Sequence, residues 1–333
     1  MTLDDKLDFV QHILTRYILT ICFIFGLIGN LLNIIIFCRK HLRKNSCSVY
    51  FITTSIFNLL VICLGIIPIV VTSYSSYDYS SHSIIYCKFR GYIIHVLLMI
   101  SRSSVALACI DRFALCSPNI NIRVLNQRRV AIRLIVIACL LWFIIPIHIP
   151  VQVNIQMPGR RCGTSGTYSI VYAIYAAVVT TIPLIIMVVF SSLAIHHLKH
   201  IRSRVHADMS TPTMNIQSRL RIRKRDAQFT RILISEVIIY FFSTILFPIY
   251  SMYTAFTSTI SKDANHMAIE GFLRYIAISF LIYVNSSSIF YIHLLASKAF
   301  RRECKQLFLQ LYKRKQSNNV LIPLAVISNA REQ

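Results

Sequence analysis

Seven stretches of this chain run for twenty or more residues with almost no charge, and the charges between them fall in clusters. A helix needs roughly 20 mainly apolar residues to cross the hydrocarbon of a bilayer. Lipid offers no partner to backbone N–H and C=O groups, so each stretch must satisfy its own backbone as a helix. The candidate spans are Leu14–Cys38, Val49–Tyr74, Ile84–Ala108 (running on to Cys116), Val130–Pro150, Tyr168–Ile195, Ile232–Phe256 and Ala268–Leu295. The fourth is the cleanest, with the single charge Arg133 at its edge. Of the 333 residues 56% are hydrophobic and 14% charged, where a soluble domain carries about 25% charged residues. That much apolar surface cannot be hidden in one soluble core. The expected fold is all-α, a seven-transmembrane helix bundle.

Orientation follows from Lys and Arg in the short connections. One set of connections, Arg39–Lys44, Arg112–Arg133, Lys199–Arg231 and everything from Lys298 onward, holds 26 of the 35 basic residues. The opposite side and the spans hold the other nine. The N-terminus is therefore expected outside and the C-terminus inside. The first dozen residues contain Asp4, Asp5, Lys6 and Asp8 and do not read as a secretory signal; the first span is expected to serve as its own insertion signal. The formal net charge of +23 is then an inner-surface excess attracted to anionic membrane lipids, and nucleic acid is not an expected partner. The run Arg219–Arg225 before the sixth span reads as such an anchor. Of ten cysteines, only Cys87 and Cys162 fall on the outer, oxidising side, which makes one disulfide between them the economical reading.

Short motifs lie on these spans in order. The first span holds Gly26-Leu-Ile-Gly29-Asn30, and the third ends in Asp111-Arg112-Phe113, 25 residues after Cys87. The lone tryptophan, Trp142, is in the fourth, Pro183 in the fifth and Pro248 in the sixth, and Phe300-Arg301-Arg302 follows the seventh. In these features residues 14–312 resemble the rhodopsin-like class of G-protein-coupled receptors. The resemblance implies a plasma-membrane receptor, with an extracellular ligand and a heterotrimeric G protein as partners and no cofactor or metal. It implies an extracellular N-terminus over 1–13, the bundle over 14–295 with an inner loop near 196–231, an amphipathic membrane-surface eighth helix over 296–312, and a cytoplasmic tail over 313–333. Several positions depart from the family pattern. Asn58 stands where the second span usually has an aspartate that holds sodium, Leu246 where the sixth has Trp, and Ser191 where the fifth has an inner tyrosine. The seventh span's Asn-Pro-x-x-Tyr falls at Ile289–His293 without its proline, or in another register that gives Tyr291 the tyrosine's role.

The chemistry of the residues sets their expected roles. Arg112, near the inner end of a membrane helix, costs at least about 2.5 kcal/mol unless paired. Asp111 is its expected resting partner, with Asp226 or Glu236 as further acids, and the pair with Phe113 forms the expected G-protein switch. Arg102 lies mid-span, ten residues and about 15 Å above Arg112, and reads either as a structural hydrogen-bond hub or as part of the activation relay. Asn30, Asn58 and Asn285 are expected to form a polar cluster, with Trp142, Pro183 and Pro248 as structural positions. In the outer half, His95, Met99, Tyr175, Tyr250, Tyr253, Tyr275 and Ser279 fall where ligand would bind. Tyr168 and Tyr172 fit either that pocket or an interfacial aromatic belt. Phe300, Cys304, Leu307, Phe308 and Leu311 form the apolar stripe of the eighth helix, and Cys304 is a candidate for palmitoylation.

Exclusions narrow the function. The seventh span has no lysine for a retinal Schiff base, and the outer third span offers no acid to hold an amine. A peptide or other non-amine ligand fits better, and Arg90, Arg160, Arg161 and Arg274 around the mouth suit an acidic group. No catalytic motif is present. The competing readings are a small transporter or channel, which would carry internal repeats and several mid-span ionisable groups, and a receptor-like protein that no longer couples.

Overall fold

The computed structural model describes every residue except Met1, Ser76, Pro118, 158–160, 208–215, 258–259, 311 and 314–333; for Arg161 and for 199–207 and 216–227 only the backbone is described. Arg160, Leu311, most of the tail, and the side chains of Arg161, Asp226 and 219–225 therefore lie outside the described residues.

Seven helices are long and apolar enough to cross a membrane: α1 (Leu3–Phe37), α2 (Ser46–Ser75), α3 (Ile84–Cys116), α4 (Arg128–Gln152), α5 (Gly166–Leu198), α6 (Gln228–Phe256) and α7 (Ala264–Ala296). The protein is a multi-pass membrane protein with a seven-helix bundle, as its apolar runs require. Its ends are distinguished below as the disulfide end, where Cys87 and Cys162 lie, and the basic end, where Arg112 lies.

α1 starts eleven residues before the apolar run. Thr2 and Asp5 explain the early start: the Thr2 hydroxyl accepts the Asp5 amide at 3.3 Å and the Asp5 carboxylate accepts the Thr2 amide at 2.7 Å. This capping box closes the helix over the polar Leu3–Ile13 turns. The extra length lets α1 pack along the disulfide end of α7.

α3 is the axis of the bundle. In the most apolar stretch of each helix, 61% of the α3 residues are buried against 11% for α4, which lies at the rim facing lipid. α1, α2 and α7 approach closely because glycines line their seam. A Cβ on Gly26 would come within 2.6 Å of the Ser287 hydroxyl, and one on Gly29 within 2.9 Å of Phe290 Cβ. On α2 a Cβ at Gly65 would overlap the Tyr283 ring.

Two of the span prolines interrupt their helices, as a missing N–H predicts, while Pro68 and Pro183 lie inside continuous ones. α6 is interrupted at Ile245, three residues before Pro248. α4 tightens into a 3-10 turn at Ile145–Ile147 around Pro146. At the disulfide end, Asn154–Gln156 and Arg161–Gly163 pair as an antiparallel hairpin with Ile155 opposite Cys162. Beyond α7 the chain breaks at Ser297, whose hydroxyl accepts the Phe300 amide at 3.2 Å, and residues 298–310 are helical.

Candidate functional site

Arg112 is among the largest fully buried side chains of the described residues, at 1% exposure. The Asp111 carboxylate accepts its Nη2 at 2.6 Å and its Nε at 3.1 Å. Asn45, at the start of α2, accepts the same Nη2 at 3.1 Å, and the Phe229 ring of α6 lies 5.7 Å from the guanidinium. Asn126 of the following loop closes the site by donating to the Asp111 carbonyl at 3.4 Å and to Ser46 at 3.0 Å. The buried carboxylate neutralises the buried cation, and α2, α3 and α6 meet on the pair. Phe113, next in sequence, faces away toward α5, edge-on to Phe190 and His197.

Glu236 is not beside Arg112. Its Oε2 lies 3.5 Å from His293 Nε2, and the other imidazole nitrogen of His293 lies 3.2 Å from Asn33 of α1. Rings of Phe37, Phe51 and Phe300 surround this imidazole, each with its centroid within 5.8 Å. Phe229 stacks on Phe51, so one ring joins this aromatic box to the Arg112 site. Sequence reasoning missed the box. Its signal was His293 itself, a histidine on a span where an apolar residue would be expected, but its partners sit on four other segments.

The middle of the bundle holds the asparagines, but not as one cluster. Asn30 donates to the carbonyls of Gly26 at 2.8 Å and Ser286 at 3.0 Å, fastening α1 to α7. Asn58 accepts the Ser101 hydroxyl at 2.7 Å, and Asn285 donates to Ser243 at 2.6 Å. Asn58 and Asn285 line a shared internal cavity with Arg102; Asn30 does not. Trp142 donates to Ser103 at 2.7 Å and so anchors α4 to α3. Pro183 is buried inside α5 and Pro248 half-buried in α6.

At the disulfide end Cys87 and Cys162 are bonded, with Cα atoms 5.7 Å apart, which ties the hairpin to the first turn of α3. Next to it His95 and Tyr175 meet at 3.1 Å between Nε2 and Oη. His148 of α4 joins them: its ring stands edge-on to Tyr175 at 4.6 Å and its Nδ1 meets the Tyr168 hydroxyl at 2.7 Å. Tyr172 lies beside both tyrosines. This polar aromatic wall joins α3, α4 and α5, and it places Tyr168 and Tyr172 inside the group rather than in a separate belt.

The other expected ligand positions spread around it. Arg274 is exposed at the same end, in the last turn of Ala264–Arg274 at the start of α7. Met99 is buried at 1% and Ser279 half-buried. Tyr253 turns outward to His266, at 2.7 Å, and Tyr275 turns to Thr15 of α1, at 2.9 Å. Neither touches the wall. A π-helical turn over Tyr275–Phe280, matched by another over Leu14–Leu19, aims Tyr275 at Thr15, and periodicity alone does not foresee such a turn.

The family model of the 7 transmembrane receptor (rhodopsin family) matches residues 29–288, most of the chain, including the Asp111–Arg112 pair and the disulfide-end aromatic wall. The chain belongs to the rhodopsin family of seven-transmembrane receptors. A curated mouse protein, "Probable G-protein coupled receptor 34", is 27% identical to this receptor over 143 residues, 42% of the chain. The match spans about a third (35%) of that relative's length.

In this rhodopsin-family receptor the 298–310 helix is bound to the basic end. Arg39 pairs with Glu303 at 2.8 Å and reaches Gln310 at 3.0 Å, while His41 meets Glu303 at 3.1 Å. Phe300, Cys304 and Leu307 are buried in the main core, whereas Phe308 and Leu309 are exposed. The stripe read from sequence as lipid-facing therefore splits. Cys304 is 5% exposed and its thiol is pushed up to about 11 by burial. An acyl chain on it would have to leave that packing.

Proposed function

We propose that this receptor sits in the plasma membrane with its N-terminus outside, binds an extracellular non-amine ligand at the disulfide end, and promotes nucleotide exchange on a heterotrimeric G protein at the basic end. The observation that carries the reading is the buried Asp111–Arg112 pair, 2.6 Å across, on the side toward which the connections concentrate their basic residues. A buried arginine held by an adjacent acid is a poised charge. Outward displacement of α6 removes the Phe229 ring from its face and opens it to a partner. The name of the mouse relative agrees with coupling of this kind.

A peptide suits the ligand end because, among the described residues, the aromatic wall offers hydroxyls, imidazoles and ring faces but no carboxylate to hold an amine, and Glu270 at this end is already paired with Lys262. Arg274, exposed at the same end of α7, favours a ligand with an acidic group. The test is expression in cells carrying a panel of G-protein reporters, challenged with peptide and amine libraries. Arg112→Ala should abolish ligand-stimulated exchange and leave ligand binding within a few fold. A ligand that itself crosses the membrane, with every reporter indifferent to Arg112→Ala, would show a transporter instead. A tag before Met1 should be reached by antibody on intact cells and one after Gln333 should not.

A further inference from the structure

Neither end of the receptor uses the most costly group in its middle. Arg102 is 8% exposed, about 15 Å above Arg112 along α3. Among the described residues its guanidinium has no hydrogen bond and no ion pair; the Tyr240 ring lies 5.4 Å away. A ring face attracts a cation, but it leaves the five N–H donors of a guanidinium without acceptors. A mid-membrane cation in that state demands a counter-charge.

Glu236 has the complementary deficit. It is 3% exposed; one carboxylate oxygen makes only the long 3.5 Å contact to His293, and the other, Oε1, has no partner among the described residues. Arg102 and Glu236 line the same internal cavity, with Asn58, Ser101, Tyr240 and Asn285 as polar neighbours and aliphatic side chains closing the rest of the wall. Its volume is about 20 Å³, and a polar cavity above roughly 10–15 Å³ holds a water molecule. Asn58 Nδ2 is a further buried donor without a partner among the described residues. A cation is repelled by Arg102 and an anion by Glu236, so the wall suits a neutral molecule that both donates and accepts.

We propose that Arg102 and Glu236 form a water-bridged ion pair across this cavity. Glu236 is thereby a positioning residue, held by Arg102 on one side and His293 on the other, that joins α3, α6 and α7 at mid-bundle. Only its effect on signalling rests on the function proposed above: α6 cannot move outward without parting this pair.

The pair itself is tested without any G protein, by thermal unfolding of the purified receptor in a double-mutant cycle. Arg102→Met and Glu236→Leu each strand the opposite charge in the interior, so each should lower Tm by about 5 °C or more. The double variant should recover at least half of the summed loss. Glu236→Gln, which keeps the shape, should lower Tm in the natural background and change nothing further beside Arg102→Met; it decides the matter if the leucine variant does not fold. Additivity within about 1 °C in both cycles overturns the pair. Basal nucleotide exchange by Glu236→Gln is read separately. A rise of several fold supports both ideas, whereas coupled melting with no exchange from any variant upholds the pair and refutes the G-protein reading.

Discussion

Replacing Asp111 with asparagine removes one charge from the basic end and almost nothing else. The carboxylate accepts both Nε and Nη2 of Arg112, at 3.1 and 2.6 Å, and both side chains are 1% exposed. Taking one partner from a buried ion pair costs about 3–5 kcal/mol, because the remaining charge stays uncompensated. The amide keeps an acceptor oxygen and Asn45 keeps its 3.1 Å bond, so the lower end, about 3 kcal/mol, is the appropriate figure. At 1.36 kcal/mol per tenfold, that shifts the balance toward forms in which Arg112 has left its seat by roughly 150-fold. Ligand-free nucleotide exchange, measured with purified receptor and G protein in lipid, should therefore rise at least about tenfold in Asp111→Asn. Asn45→Ala removes a neutral acceptor from the edge of the same site, a loss of about 1.5 kcal/mol, and should raise basal exchange no more than about tenfold. The ordering is the test. Equal effects from the two variants, or a folded Asp111→Asn receptor with unchanged basal exchange, would show that the buried pair does not hold the resting state.

Three further outcomes are expected. Gly65→Ala drives a methyl into the buried Tyr283 ring and should cost about 1–3 kcal/mol, read as a lowered Tm; Gly271→Ala, in a helix with open space around it, should be neutral or stabilising by up to about 1 kcal/mol. Cys162→Ser opens a loop closed over a separation of 75 residues, worth at most about 4.5 kcal/mol and less in a chain already restrained by the membrane, and surface expression or ligand binding should fall. Cys304, with its thiol raised to about 11, should react slowly with alkylating reagents at neutral pH, and faster as pH climbs toward that value and the thiolate appears. Rapid labelling at pH 7 would show that the 298–310 helix leaves the core.

The seven spans were legible because a bilayer imposes one length and one composition on every crossing, and Leu14–Cys38 or Val130–Pro150 satisfies both without reference to any neighbour. The start of α1 was missed because charges at Asp4, Asp5, Lys6 and Asp8 mask a helix whose only local marker is the Thr2–Asp5 capping box. Asp111 and Arg112 could be paired from sequence, being adjacent. Glu236, Asn33 and His293 could not, since they lie on three helices and their meeting depends on how those helices rotate about their axes. The same rotation decides that Tyr275 faces Thr15 and that Cys304 faces inward. The aromatic wall was half legible: the spacing of Tyr168, Tyr172 and Tyr175 places them on one face of α5, but His148 joins them from another helix, just past the 3-10 turn at Pro146, where no spacing within α5 points to it.

Phe229 touches the Phe51 ring, 6.3 Å away on the side of the box, and the Arg112 guanidinium, 5.7 Å away on the other. A single flat side chain is thus a keystone shared by two arches. Sliding it partway would forfeit contacts on both sides before any new ones form, and a densely packed interior offers no shallow resting place between. Motion at this end of α6 should accordingly be a snap rather than a drift, with intermediate positions sparsely occupied.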